Sequence, residues 1–294
     1  MDNMPTDNEV KSELDLGEPP IELLEYARRE LGEDPDTRVQ VLAEFRDMIY
    51  ERGECMPHRT DDAFLLRFLR ARYFVLERAH RLFVNYYNFK ENNPEIFEGV
   101  NLMKLQELGT TNIITVPPYR EQTGRRILLY RMGNWDPENT PVIEILQATM
   151  AILELAILEE RAQILGGICI FDLGDLSMQQ AWHLTPNIAT KVIQIMVTSF
   201  PMKVHALHIV NQSKVFDFVY NIFKPLLNDQ MRKRIFFHGD DMESLHQHIN
   251  PKHLPERYGG VHPDYSYSDW IDYFKNNEKT KKELRSLGYS IDEP

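Results

Sequence analysis

From residue 21 to 93 the apolar positions fall three and four apart, which predicts helices. Thr60 can cap one whose inner face is Ala63, Phe64, Phe68 and Leu69. Leu76, Ala79, Leu82, Phe83, Tyr86 and Phe89 repeat in the same way along the next. Asn93-Pro94 stops it, because the residue before a proline is pushed out of the helical region. Near residue 110 the pattern changes to short β-rich runs between helices. Asn112–Val116 and Arg126–Tyr130 flank Gly124 and can pair as a hairpin. A long apolar helix is predicted over 141–160. Gly166-Gly167 reads as a turn into Gly167-Ile-Cys-Ile-Phe-Asp-Leu, a continuous apolar run expected of a strand covered on both faces. A helix over 186–198, a strand over 203–210, a helix over 213–227 and the run Arg234-Ile-Phe-Phe follow. Strand–helix alternation predicts an α/β domain with a mainly parallel sheet. The chain thus divides into an acidic arm at 1–20 expected to be disordered, a helical domain at 21–95, an α/β domain at 105–265 and a tail at 266–294.

The segment 203–238 carries the most information. Polar residues in its helix fall at Lys214, Asp217, Asn221 and Lys224, one narrow stripe, and Pro225 ends the helix. Nearly everything else from Val215 to Leu227 is apolar, a wider face than a surface helix usually carries. Two accounts fit this excess, shared by helices 141–160 and 186–198: a large core, or an internal pocket with helix 213–227 as its movable wall. Between 203 and 234 stand six Lys/Arg and two Asp, a local +4 in a chain of formal charge −12. That cluster fits a solvated helix end or a surface that meets membranes.

Charge alters the picture in two further ways. An acidic chain with pI near 5.3 argues against nucleic-acid binding, which wants a basic domain. Residues 1–38 hold four basic and twelve acidic side chains, −8, so most of the acidity lies in this N-terminal stretch. Cys55 and Cys169 form no disulfide framework. The start has no basic and apolar leader, so the expected compartment is the cytosol. The apolar run 141–158 contains Glu144, Gln147 and Glu154, which favours a buried helix over a membrane span. The sequence has no dinucleotide, P-loop, nucleophile-elbow or zinc-protease motif. Asp172 with His238-Gly-Asp-Asp241 is the one conceivable hydrolase or metal grouping, and strand-end caps explain it as well. The histidines show no metal-ligand spacing, with His205 and His208 expected on opposite faces of a strand. No catalytic residue, metal or cofactor is expected.

Several motifs stand in register with these elements. They are Asp62-Ala-Phe-Leu-Leu-Arg-Phe-Leu-Arg-Ala-Arg72, Asn134-Trp-Asp-Pro137, Ile170-Phe-Asp-Leu173, Ser199-Phe-Pro201, His208-Ile-Val-Asn211, Arg234-Ile-Phe-Phe-His-Gly239 and Leu254-Pro-Glu-Arg-Tyr-Gly-Gly260. Over roughly 20–275 the chain resembles the CRAL-TRIO, or Sec14-like, family of lipid-binding proteins, nearest to its tocopherol-binding, retinoid-binding and clavesin branches. The resemblance implies a helical N-terminal domain packed on a mainly parallel-sheet domain with one closed apolar cavity. It implies pocket positions Leu146, Thr149, Met150, Leu153, Phe171, Leu184, Val192, Ile195, Met196, Phe200, Val204 and Leu207. The gate would be helix 211–227, through Val215, Phe216, Val219 and Phe223. A phosphoinositide headgroup would meet Arg72, Lys203 and Arg234. A fourth basic position of the family is Gln230 here, with Arg232 or Lys233 as its replacement.

The expected function is a cytosolic carrier of one small hydrophobic lipid, tocopherol-, retinoid- or isoprenoid-like. It would exchange that lipid at endosomal or plasma membranes bearing phosphoinositide bisphosphates. The alternative is a phosphoinositide-binding trafficking adaptor without obligatory cargo.

Overall fold

A computed structural model describes residues 12–102, 106–265 and 267–291. Five strands form one sheet in the order β1 (Ile114–Thr115), β2 (Ile127–Arg131), β3 (Gly167–Asp172), β4 (Val204–Val210) and β5 (Ile235–Gly239). β1 and β2 are antiparallel, with Ile114 opposite Tyr130, and the other neighbours are parallel. The predicted hairpin and the α/β alternation are therefore both present.

Side chains alternate across this sheet, and each face has its own core. Leu128, Tyr130, Cys169, Phe171, Leu207 and Ile209 meet the large core that also holds the helix Val142–Ala156. Ile127, Leu129, Ile168, Ile170, Ala206 and Val210 meet a second core built by Leu245, Ile249, Leu254 and Tyr258. The register shifts twice: between β4 and β5, where Ile209 pairs with Phe237 but Val210 with Gly239, and between β3 and β4. Gly167 pairs with Val204 but Ile168 pairs with Ala206, so His205 is the extra residue of a β-bulge.

The helical region contains Ile21–Tyr26, Arg38–Arg52, Asp62–Ala71 and Leu76–Asn92. Asp61, not Thr60, caps the third of these, accepting the Phe64 N–H at 3.1 Å. Arg70 lies fully buried between the two halves of the molecule. Its guanidinium donates twice to Glu33 and once to Gln163, each at 2.7 Å, and stands 2.9 Å from Glu160. Buried Glu154 accepts the Tyr86 hydroxyl at 2.7 Å across the same divide.

The predicted helices exist with different ends. Helix 141–160 stops at Ala156, and a separate helix runs Glu160–Leu165. Gly166 closes it at φ +77, and a Cβ there would lie 2.3 Å from the Lys203 carbonyl. Helix 186–198 is α-helical over Pro186–Ile193 and widens to a π-turn over Gln194–Thr198. Helix 213–227 is α-helical over Phe216–Phe223, followed by a 3-10 turn Lys224–Leu226 that contains Pro225.

Both chain ends pack on the body of the molecule. Residues 1–11 of the arm expected to be disordered lie outside the described residues. From residue 12 onward it is docked: Leu14 is buried, and the Asp15 N–H donates to Glu159 at 2.9 Å. The tail forms two helices, Ser268–Asn276 and Glu278–Ser286. Glu283 of the second pairs with Arg59 and Arg67 of the helical domain. The sequence pattern missed these placements because each depends on a partner more than a hundred residues away.

Candidate functional site

An almost wholly apolar cavity of about 70 Å³ lies between the sheet and helix Val142–Ala156. Of the twelve expected pocket residues, Thr149, Leu153, Ile195, Met196, Phe200 and Val204 line it. Leu146, Met150 and Leu184 are buried in the surrounding core. Phe171, Val192 and Leu207 are half-buried against that core, outside the cavity lining. Sequence reasoning missed the wall made by Leu14, Tyr267, Trp270 and Phe274. Trp270 and Phe274 stand one helical turn apart, which was the available signal. Polarity inside is confined mainly to the Tyr130 hydroxyl and Thr149 Oγ1, 3.0 Å apart. Burial pushes the Tyr130 phenol far above its ordinary range, and the Cys169 thiol up to about 12.

The helix Phe216–Phe223 covers the other end of this core. Val219 is buried, while Val215, Phe216 and Phe223 are half-buried against the core. None of these four residues touches the cavity itself. Outside, Phe216 stacks on Tyr220, and both meet Phe237 of β5 edge-on. Phe218 and Phe237 remain exposed.

The opposite face of the sheet carries a groove of about 520 Å³. Its walls hold Arg125, Lys203, Lys233 and Arg234 against two carboxylates, Glu30 and Glu121. Lys203 is the most crowded of these cations. Its ammonium donates to the Ile164 carbonyl at 2.8 Å and sits 5.0 Å from the centre of the Tyr73 ring. Burial, then Arg125, Arg234, Arg70 and Arg72, lower its pKa to about 8. Arg72 donates to the Val197 carbonyl at 2.9 Å, and burial and Arg234 lower its pKa. The structure thus gathers Lys203, Arg234 and Arg72. It places Arg232 elsewhere: that guanidinium donates to the Leu227 and Lys224 carbonyls, closing the end of the 3-10 turn. Lys233 takes the groove position instead.

His205 and His208 both line the groove, not opposite faces, because the bulge at His205 adds one residue to the alternation. His208 Nδ1 lies 2.9 Å from His238 Nε2, and His238 Nδ1 lies 2.8 Å from Ser244 Oγ. Burial, then His238 and His248, push His208 down to about 3, so it stays neutral at ordinary pH. Asp172 is occupied separately. It accepts Gly174 N–H, Asn211 Nδ2 and the Tyr258 hydroxyl. His238 has different partners, so the conceivable Asp172–His238 grouping is two structural networks. Among the described residues, no cluster of three or more His, Cys, Asp or Glu is placed to hold a metal ion. No described helix is long and apolar enough to cross a membrane.

An apolar cavity roofed by a helix, on a parallel sheet joined to a helical module, defines a lipid-binding class of protein. The CRAL/TRIO domain model matches residues 110–260, and the Pinta-like UBA domain model matches 34–107. The chain belongs to the CRAL-TRIO, Sec14-like family of lipid-binding proteins. Among its relatives, Clavesin-1 of Xenopus laevis is 39% identical, over 88% of this chain and 80% of its own. Alpha-tocopherol transfer protein-like of Mus musculus is 36% identical, over 85% of this chain and 73% of its own. The crystal structure of Sfh5 shares the fold with a TM-score of 0.52, at 15% identity over 81% of this chain and 92% of that one.

Proposed function

We propose that this chain carries one small hydrophobic lipid in the cavity beneath helix Val142–Ala156. It exchanges that lipid at cytosolic membrane faces bearing phosphoinositide bisphosphates. The observation that carries this reading is the division of the sheet: an apolar cavity on one face, a cation-lined groove on the other. The cavity's 70 Å³ is well below the ~300 Å³ of a small ligand site. Loading therefore requires the core around the cavity to open, and we assign that movement to the helix Phe216–Phe223, which is half-buried on the same core, outside the cavity lining, and is ended by Pro225. A tocopherol-, retinoid- or isoprenoid-like molecule matches the lining, with the Tyr130–Thr149 pair meeting its single polar group.

Organic extraction of the protein from native cells, followed by mass spectrometry, should yield one apolar molecule per chain. An empty protein would overturn the carrier reading. It would favour a phosphoinositide-binding adaptor of membrane traffic without cargo, a reading supported by the groove being the larger of the two spaces.

The groove should also be pH-sensitive. An anionic headgroup favours the charged form of Lys203, whose pKa of about 8 in the free protein means that the charge is lost as pH rises through that value. Vesicle affinity should therefore be flat near pH 7 and fall by up to about tenfold per pH unit above 8. The headgroup phosphates, with second pKa values of about 6, stay fully charged over that window. Lys203→Arg, titrating only above ~12, should flatten the profile. An unchanged profile in that variant would assign the pH dependence elsewhere.

A further inference from the structure

The docked arm lies against a group of arginines at the edge of the cavity. Arg120 and Arg126 pair with one buried carboxylate, Glu159, and Arg161 stands near Arg120. Arg126 donates to it through Nε at 3.0 Å and Nη2 at 2.5 Å, and Arg120 donates to it through Nη2 at 3.1 Å. Burial works to raise the Glu159 carboxyl, yet Arg126 and Arg120 hold it below its ordinary value. Two cations thus share one anion, and Arg161 brings a third cation close to Arg120. Burial and the neighbouring Arg126 lower the Arg120 pKa, and Nε of both Arg120 and Arg161 is buried without a hydrogen-bond partner.

The arm supplies what is missing, loosely. The Asp15 carboxylate stands 3.7 Å from Arg120 and 3.8 Å from Arg161, and is itself 45% exposed. A pair that long and that wet contributes little. Arg126 also donates to the Glu13 carbonyl at 2.8 Å. Beside this cluster Leu14 enters the apolar cavity, where it shares the lining with Leu155, Ala156, Trp270 and Phe274. Arg126 lines that cavity and lies 5.0 Å from the centre of the Trp270 ring, so the cluster reaches the cavity edge through Arg126. Leu14-Asp15 therefore presents an aliphatic group to the cavity and a carboxylate to the arginines. That is the chemical outline of an acidic amphiphile.

We propose that the cavity has a second mouth, at the Arg120–Arg126–Arg161 rim, and that it takes a single-chain carboxylate amphiphile such as a fatty acid. Leu14 and Asp15 are its resident stopper. This mouth lies at the Gly167 and Val204 ends of β3 and β4, the opposite end of the strands from the helix Phe216–Phe223. The incoming carboxylate takes the place of Asp15 between Arg120 and Arg161, and its chain takes the place of Leu14. The site rests on the carrier reading in one respect: the cavity must admit an apolar chain.

The test is a fluorescence titration of the delipidated full chain with cis-parinaric acid and with its methyl ester, which has the same chain but no charge. The wild-type protein should prefer the acid. Leu14→Ser/Asp15→Asn, which loosens the stopper, should bind the acid at least about fivefold more tightly, because the open state becomes the populated one. Arg120→Ala/Arg161→Ala should bring the acid-to-ester affinity ratio close to one. If that pair does not fold, Arg120→Gln/Arg161→Gln gives the same comparison. A ratio unmoved by the arginine changes, or a stopper variant no tighter than wild type, overturns the proposal. Acid and ester binding alike in every variant sinks this site and leaves the carrier reading standing. Neither probe binding any variant sinks both.

Discussion

Vesicles containing a phosphatidylinositol bisphosphate should hold the Lys203→Ala/Arg234→Ala protein about 30-fold more weakly than the wild type. Each basic side chain at an anionic surface contributes about 1 kcal/mol, and two such losses amount to that factor. Lys203 and Arg234 share one groove wall, and each adds to the other's repulsion, so a headgroup relieves strain between them as well as pairing with them. Arg232→Ala provides the contrast. Its guanidinium faces the Leu227 and Lys224 carbonyls, so its loss should change vesicle affinity by less than about threefold. Co-sedimentation across a salt series measures both. Equal losses in the two variants would mean that the charge of the whole 203–234 segment matters and the groove does not.

The largest effect on stability should come from Arg70→Ala. Removing this fully buried guanidinium leaves Glu33 and Gln163 buried without their main partner. Breaking one side of a buried pair costs about 3–5 kcal/mol, which urea unfolding followed by circular dichroism would read directly. Arg70→Met combined with Glu33→Gln should cost less than Arg70→Ala alone, since no unpaired charge then stays inside. A loss below about 1 kcal/mol for Arg70→Ala would show that water reaches Glu33 freely once the arginine is gone. Because Arg70 joins helix Asp62–Ala71 to helix Glu160–Leu165, the same variant should loosen the contact between the helical domain and the sheet domain.

What could be read in the sequence follows from the range of the forces involved. Strand β3 was legible because a continuous apolar run is a local signal, and helix Leu76–Asn92 because its apolar repeat is. The cavity wall on helix Val142–Ala156 was reached at Thr149 and Leu153 through family motifs, not through periodicity. The missed features are those set by distant partners. Leu14 lines the cavity from one chain end, and Trp270 and Phe274 line it from the other. Lys233 and Arg232 are adjacent and chemically alike. Only the turn of the helix Asp229–Arg232 decides which one faces the groove and which caps the carbonyls behind it. The bulge at His205 was likewise silent, since an extra residue leaves no mark on composition.

That bulge sets how two compartments are kept apart by a wall one strand thick. Val204 belongs to the lipid side, and the next residue, His205, to the water side along with Lys203. Without the added residue, strict alternation from Ala206 backward would put His205 on the lipid side and Val204 on the groove side. The strand would then thread an imidazole into the greasy chamber and a valine among the cations. Strand length, counted to a single residue at this point, thus acts as a partition between two solvents.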